Sequence, residues 1–218
     1  MWIDTPDPAY TTSPRSRRNF VLAIRVSAAF VAVLWLILLV DRALGLQLAQ
    51  YGLLPRHVTG LLGLLTTPLL HGGVLHLASN SMPLLVAGTA MLFLYPNSAL
   101  RTLPLLYAGA PLVVWVLGRG TYHIGASGLV YGMLTYVFVG GLLRRDLRSV
   151  TVAMLVWFLY GSLAAGLVPG RAGVSWELHL AGTVLGAVLA VVYRHWDRPP
   201  RKRYEWEQEE DPPQQPGS

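Results

Sequence analysis

At 218 residues, with 53% hydrophobic and only 13% charged side chains and a mean hydropathy of +0.46, the chain is too apolar for a soluble domain and reads as a membrane protein. Its formal net charge of +6 fits contact with anionic lipid and the sidedness of membrane loops, and is not read as a nucleic-acid footprint. The lack of cysteine excludes a disulfide framework, a thiolate nucleophile and a Cys-based metal site, so any chemistry falls to Ser, His, Asn, Tyr and the few acids.

In chain order, a cytoplasmic N-terminal segment (1–19) containing Arg15, Arg17 and Arg18 precedes six apolar stretches predicted to span a membrane: 20–40, 76–95, 100–117, 127–143, 150–167 and 178–193. The first is too long for the apolar region of a signal peptide. Residues 41–75 carry an apolar pattern of their own, Leu44, Leu46 and Leu48, then Leu53 and Leu54, then Leu61 to Leu65. They are expected to form a long external loop lying partly in the interface. The membrane domain is predicted over 20–195. Residues 196–218, with a basic run, an acidic run and a Pro-rich end, predict a disordered cytoplasmic tail. No second domain or internal repeat is visible.

The basic residues set an orientation. Arg15, Arg17, Arg18, Arg101, Arg144, Arg145, Arg148, Arg194 and the tail collect on one side, against Arg42, Arg56, Arg119 and Arg171 on the other. Both termini are therefore expected in the cytoplasm, with the protein integral to a bacterial plasma membrane. Every even-numbered span then starts on the outer side, which brings His76, Ser127 and His179, each at such a start, to similar depth. Ionisable groups at membrane depth cost several kcal/mol unless they line a polar cavity. The fourth and sixth spans reach only roughly 25 Å against roughly 30 Å of hydrocarbon, so their outer ends should be recessed and open to water.

Chemistry assigns roles to these residues. A serine hydroxyl needs a base to become a nucleophile, and His179 suits. Donors for an oxyanion are available from the backbone N–H groups at Ser127 and from His76 and Asn80, one helical turn apart on one face. Gly128 and Gly132, and Gly182 and Gly186, are pairs four apart that let the fourth and sixth spans approach closely. Tyr131, one turn after Ser127, is placed to pack on the His179 ring. Of the acids near the membrane, Asp41, Asp146 and Glu177, none is placed as a third member, and Glu177 reads as a helix-start residue. A Ser127–His179 dyad is thus favoured. His71 reads as a structural hydrogen-bonding residue, and His57 and His123 as loop residues. No metal-ligand set exists, since His71 and His76 are five apart with no acid between them, and no cofactor is expected.

These motifs together, His71-x4-His76-x3-Asn80, Gly125-Ala126-Ser127-Gly128 with Tyr131, and Ser175 to Gly182 with Gly186, resemble the rhomboid intramembrane serine proteases. The resemblance covers all six spans and neither tail. It implies an all-α, six-transmembrane-helix bundle and an endopeptidase with Ser127 as nucleophile, His179 as base, and His76, Asn80 and the Ser127 backbone stabilising the oxyanion. It further implies single-pass membrane proteins as substrates, cut near a small residue in a locally unwound segment. Where family members often carry a Trp-Arg pair in the loop before the second span, this chain has Gly60-Leu61-Leu62-Gly63. Two other classes compete: a six-helix transporter or channel with a His/Tyr proton path, and a non-catalytic rhomboid-like binder of membrane helices.

Overall fold

The structure, a computed structural model, describes residues 13–170 and 173–197. Residues 1–12 of the N-terminal segment, Arg171, and the predicted tail from Arg198 onward lie outside the described residues. The described residues form an all-α membrane bundle with one isolated antiparallel bridge, Leu53 to His123. We number its helices α1 (Pro14–Leu44), α2 (Val58–Leu69), α3 (Val74–Leu94), α4 (Pro96–Leu117), α5 (Ser127–Arg144), α6 (Leu147–Leu167) and α7 (Trp176–Val192). Helix α2 is a short run of 3-10 and α turns, and α6 tightens to 3-10 geometry from Gly161 onward. The six predicted spans correspond to α1 and α3 to α7. Of these, α1, α3, α4, α5 and α6 are long and apolar enough to cross a membrane, whereas α7 has 17 residues and reaches only about 25 Å.

Local chemistry explains the boundaries. Helix α1 starts at Pro14 because Ser13 caps it, accepting the Ser16 N–H at 3.1 Å, and Pro14 suits the first helical position. Residues 14–19, assigned from the sequence to the N-terminal segment, are thereby drawn into the helix. Asp146 caps α6 by accepting the Ser149 N–H at 3.0 Å, and Ser175 caps α7 by accepting the Leu178 N–H at 3.4 Å.

Helix α5 is the centre of the bundle and packs most extensively on α7. That seam is made of backbone. A methyl group on Gly182 would run into the Gly128 carbonyl, and one on Gly186 into the Gly132 carbonyl, so only glycine allows these helices to lie so close. Leu77, Met91, Leu106, Tyr136 and Val137 fill the core around them.

At the far end of α5 the chain departs from the expected tail. Asp197, only 4% exposed, caps the start of α4, accepting from the N–H groups of Asn97 at 2.9 Å and Ser98 at 3.0 Å and from the Ser98 hydroxyl at 2.6 Å. Tyr136 donates to the same Ser98 Oγ at 2.7 Å, and the Arg101 guanidinium lies 4.1 Å over the Trp196 ring. Trp196 and Asp197 therefore belong to the folded domain, because a buried carboxylate with three donors is fixed in place.

The long segment after α1 is held without the Trp-Arg pair. Trp115 of α4 donates from Nε1 to the His57 carbonyl at 3.1 Å, Tyr107 donates to the Leu65 carbonyl at 2.6 Å, and Arg56 donates to the Gly118 carbonyl at 2.6 Å. Thr67, fully buried, accepts from the Leu53 N–H at 3.1 Å and donates to the His123 carbonyl at 3.2 Å. These bonds lay α2 against α4 and pin the segment entering α5.

Candidate active site

Three helix starts meet in a cavity of about 520 Å³ lined by His76 and Asn80 of α3, Ser127 and Tyr131 of α5, and His179 of α7. The convergence expected from counting spans is thus present. Ser127 is the first residue of α5, where the side chain of the preceding cap residue, Ala126, makes no capping bond. Ser127 stands one residue past the capping position, so its hydroxyl is not placed as a helix cap, and the first-turn N–H groups point out of the helix start.

Before Ser127 the backbone is set by Gly125, whose φ of +116° lies in the region that disfavours side chains. A Cβ there would sit 2.7 Å from His76 Nε2, so glycine also makes room for the imidazole. The Gly125 N–H donates to the Thr67 carbonyl at 2.9 Å. The next N–H, of Ala126, donates to His71 Nε2 at 3.3 Å. His71 precedes α3 and is buried; desolvation, reinforced by the neighbouring His76, lowers its pKa to about 4. It stays neutral at physiological pH and keeps the lone pair that receives Ala126. The structural role read for it from the sequence takes this form.

The two histidines facing Ser127 carry different tautomers. His179 Nδ1 lies 2.9 Å from the Gly166 carbonyl, which can only accept, so Nδ1 bears the proton and Nε2 has a free lone pair. His76 Nδ1 instead accepts the Gly72 N–H at 3.4 Å, so the proton sits on Nε2, the atom that lies against Gly125. One imidazole is a base and the other a donor. Asn80 is buried and donates one amide hydrogen to the His76 carbonyl at 3.0 Å, which leaves the second hydrogen of the group available. Tyr131 stacks on His179 with ring centroids 4.1 Å apart and planes 7° from parallel. Its hydroxyl donates to the Leu163 carbonyl at 2.6 Å. Among the described residues no hydrogen bond joins Ser127 Oγ to His179.

Gly128, Gly182 and Gly186 are the seam glycines of α5 and α7. Glu177, ion-paired with Arg119 at 3.0 Å, is engaged away from His179. Asp146 caps α6 and Asp41 accepts the Leu48 N–H at 2.9 Å, so neither acid joins the site. Two participants escaped the sequence reading. Gly166 supplies the carbonyl that orients His179, and a backbone atom on α6 leaves no motif. His123 is fully buried, not a plain loop residue; only its place four residues before Ser127 hinted at this. Its pKa is lowered chiefly by burial. Among the described residues no group of three His, Asp or Glu side chains could hold a metal ion.

The amino-acid sequence has relatives among known proteins. The model of the Rhomboid domain family matches residues 58–196. An uncharacterized protein of Mycobacterium tuberculosis is 35% identical over 83% of this chain and 79% of its own length. One of Mycobacterium leprae is 32% identical over 74% of this chain and 67% of its own. RHOMBOID-like protein 4 of Arabidopsis thaliana is 31% identical over 59% of this chain and 33% of its own.

Proposed function

We propose that this chain, which belongs to the rhomboid family, is an intramembrane serine endopeptidase that hydrolyses peptide bonds in or near the transmembrane segments of single-pass membrane proteins. The observation that carries this reading is the pair of opposed tautomers: a base at His179 Nε2 and a donor at His76 Nε2, both on the cavity that holds Ser127.

In this mechanism Ser127 Oγ attacks the scissile carbonyl carbon while its proton passes to His179 Nε2. The oxyanion receives hydrogen bonds from the Ser127 backbone N–H, His76 Nε2–H and the second amide hydrogen of Asn80. His179 then gives its proton to the leaving amine as the C–N bond breaks, leaving an ester on Ser127. A water molecule, deprotonated by Nε2, hydrolyses that ester and restores the hydroxyl. The Gly166 carbonyl holds the imidazole in the tautomer that this sequence needs, where a triad would use a carboxylate. The Ser127 to His179 hydrogen bond is expected to tighten once substrate fills the cavity. We further place both termini in the cytoplasm, from the arginine distribution, with the cavity opening outward so that water reaches the ester.

Labelling with a fluorophosphonate probe tests the reading. The full chain in detergent should be labelled, and Ser127→Ala and His179→Ala should not. A folded protein that is never labelled, or one labelled equally well in Ser127→Ala, would make it a helix binder or transporter instead.

A further inference from the structure

Across the mouth of the cavity, the segment that leads into α5 grips the start of α7. His123 Nδ1 lies 2.6 Å from Ser175 Oγ, and His123 Nε2 lies 3.1 Å from the Arg119 carbonyl. That carbonyl fixes the proton on Nε2, so Nδ1 accepts from the Ser175 hydroxyl while Ser175 Oγ accepts the Leu178 N–H. Beside it, Arg119 donates to the Val174 carbonyl at 2.6 Å and pairs with Glu177 at 3.0 Å. The grip is anchored behind by the two bonds between Leu53 and the His123 backbone, 2.8 and 3.0 Å. It is transmitted forward by the Ser175 carbonyl, which accepts the His179 N–H at 3.3 Å. The chain of contacts thus runs from the pinned segment through His123 and Ser175 to the backbone of His179.

We infer that His123 is a positioning residue for His179: through Ser175 it sets where the first turn of α7 sits relative to the segment carrying Ser127, with Arg119 acting in parallel through Val174 and Glu177. The inference rests on the serine-protease reading for what His179 does, but not for the contact itself. Glycine contacts hold the helices of the seam at a fixed separation; the position of the first turn of α7 along and around its axis needs lateral ties, and the bond from His123 to Ser175 supplies one toward the segment that carries Ser127. A shift of about 1 Å in a reacting group can cost on the order of 100-fold in rate.

The test uses the full chain and four variants. His123→Phe keeps a planar ring and loses both side-chain bonds. His123→Asn places an amide where Nδ1 was and can still meet Ser175. His123→Gln places one where Nε2 was and can meet only the Arg119 carbonyl. Ser175→Ala approaches the same bond from the other side. Fluorophosphonate labelling rate and amide hydrogen exchange over 174–180 are measured for each, with the thermal midpoint as a check on folding. We expect labelling to fall on the order of 10- to 100-fold in His123→Phe, His123→Gln and Ser175→Ala, with faster exchange at 174–180 and most of the rate restored in His123→Asn. In substrate turnover the loss should appear in kcat with KM little changed. Unaltered exchange in His123→Phe, or rescue by Gln instead of Asn, overturns the inference. If the wild-type chain is never labelled, the protease reading falls and the exchange result alone decides the clasp.

Discussion

Helices α5 and α6 are neighbours in the chain and opposites in their packing. In α5 twelve of 18 residues are buried, and the helix is locked to α7 by glycine-to-carbonyl contacts; in α6 only Ser149, Ala153 and Val156 are. Leu147 and Phe158 of α6 are each 85% exposed and Trp157 58%. An exposed apolar side chain on such a helix faces lipid, where it gains nothing from burial against protein. The difference teaches where geometry is enforced. Ser127 and His179 stand on the pair of helices that glycine contacts hold at the closest separation. From α6 the site takes two backbone carbonyls, Gly166 for His179 and Leu163 for Tyr131.

The sharpest way to break this comparison is at the seam's functional residues. Ser127→Ala or His179→Ala should lower cleavage of a model transmembrane substrate by about 10⁴-fold or more with the protein still folded; the thermal midpoint should hold in Ser127→Ala and fall modestly in His179→Ala, which loses the bond to Gly166 and the stack on Tyr131. Asn80→Ala should lower kcat by roughly 10²- to 10³-fold with KM nearly constant; a rise confined to KM would make Asn80 a substrate-binding residue. Gly182→Val should destabilise the protein by about 3 kcal/mol, read as a lower thermal midpoint and lost activity together. Were it tolerated, backbone contact would not be what fixes the two helices.

A smaller, pH-graded effect belongs to His71. Its folded pKa of about 4 lies below the unfolded value, so the unfolded chain binds the extra proton first. The contribution is present above about pH 6.5 and is lost as pH falls toward 4; the loss by pH 5 amounts to about 2 kcal/mol. The difference in stability between wild type and His71→Gln should therefore change between pH 7 and pH 5, and a pH-independent difference would refute it. The smallest effect is expected at Phe158→Ala on α6, within about 0.5 kcal/mol.

What the sequence revealed follows from which signals are local. Apolar runs mark the spans. Three reactive residues at helix starts mark the site, and Gly128, Gly182 and Gly186 announce a close approach by spacing alone. The end of the folded domain was misplaced because Asp197 reaches Asn97 and Ser98 across about a hundred residues, while its own neighbourhood is that of a charged tail. The hold on α2 was invisible for the same reason. Trp115, Tyr107 and Arg56 bind carbonyls, which have no sequence identity. His123 looked like a loop residue because nothing in its surroundings names Ser175 as its partner.

The cap that Asp197 places on α4 also constrains the order in which the molecule can be made. Synthesis runs from the N-terminus, and early elements assemble first. The start of α4 therefore lacks its carboxylate cap until residue 197 has been added, about a hundred residues later. His179 arrives in the same late stretch. On the proposed mechanism, a nascent chain that lacks α7 carries Ser127 without its base, and hydrolysis would begin only once α7 has docked and Asp197 has capped α4.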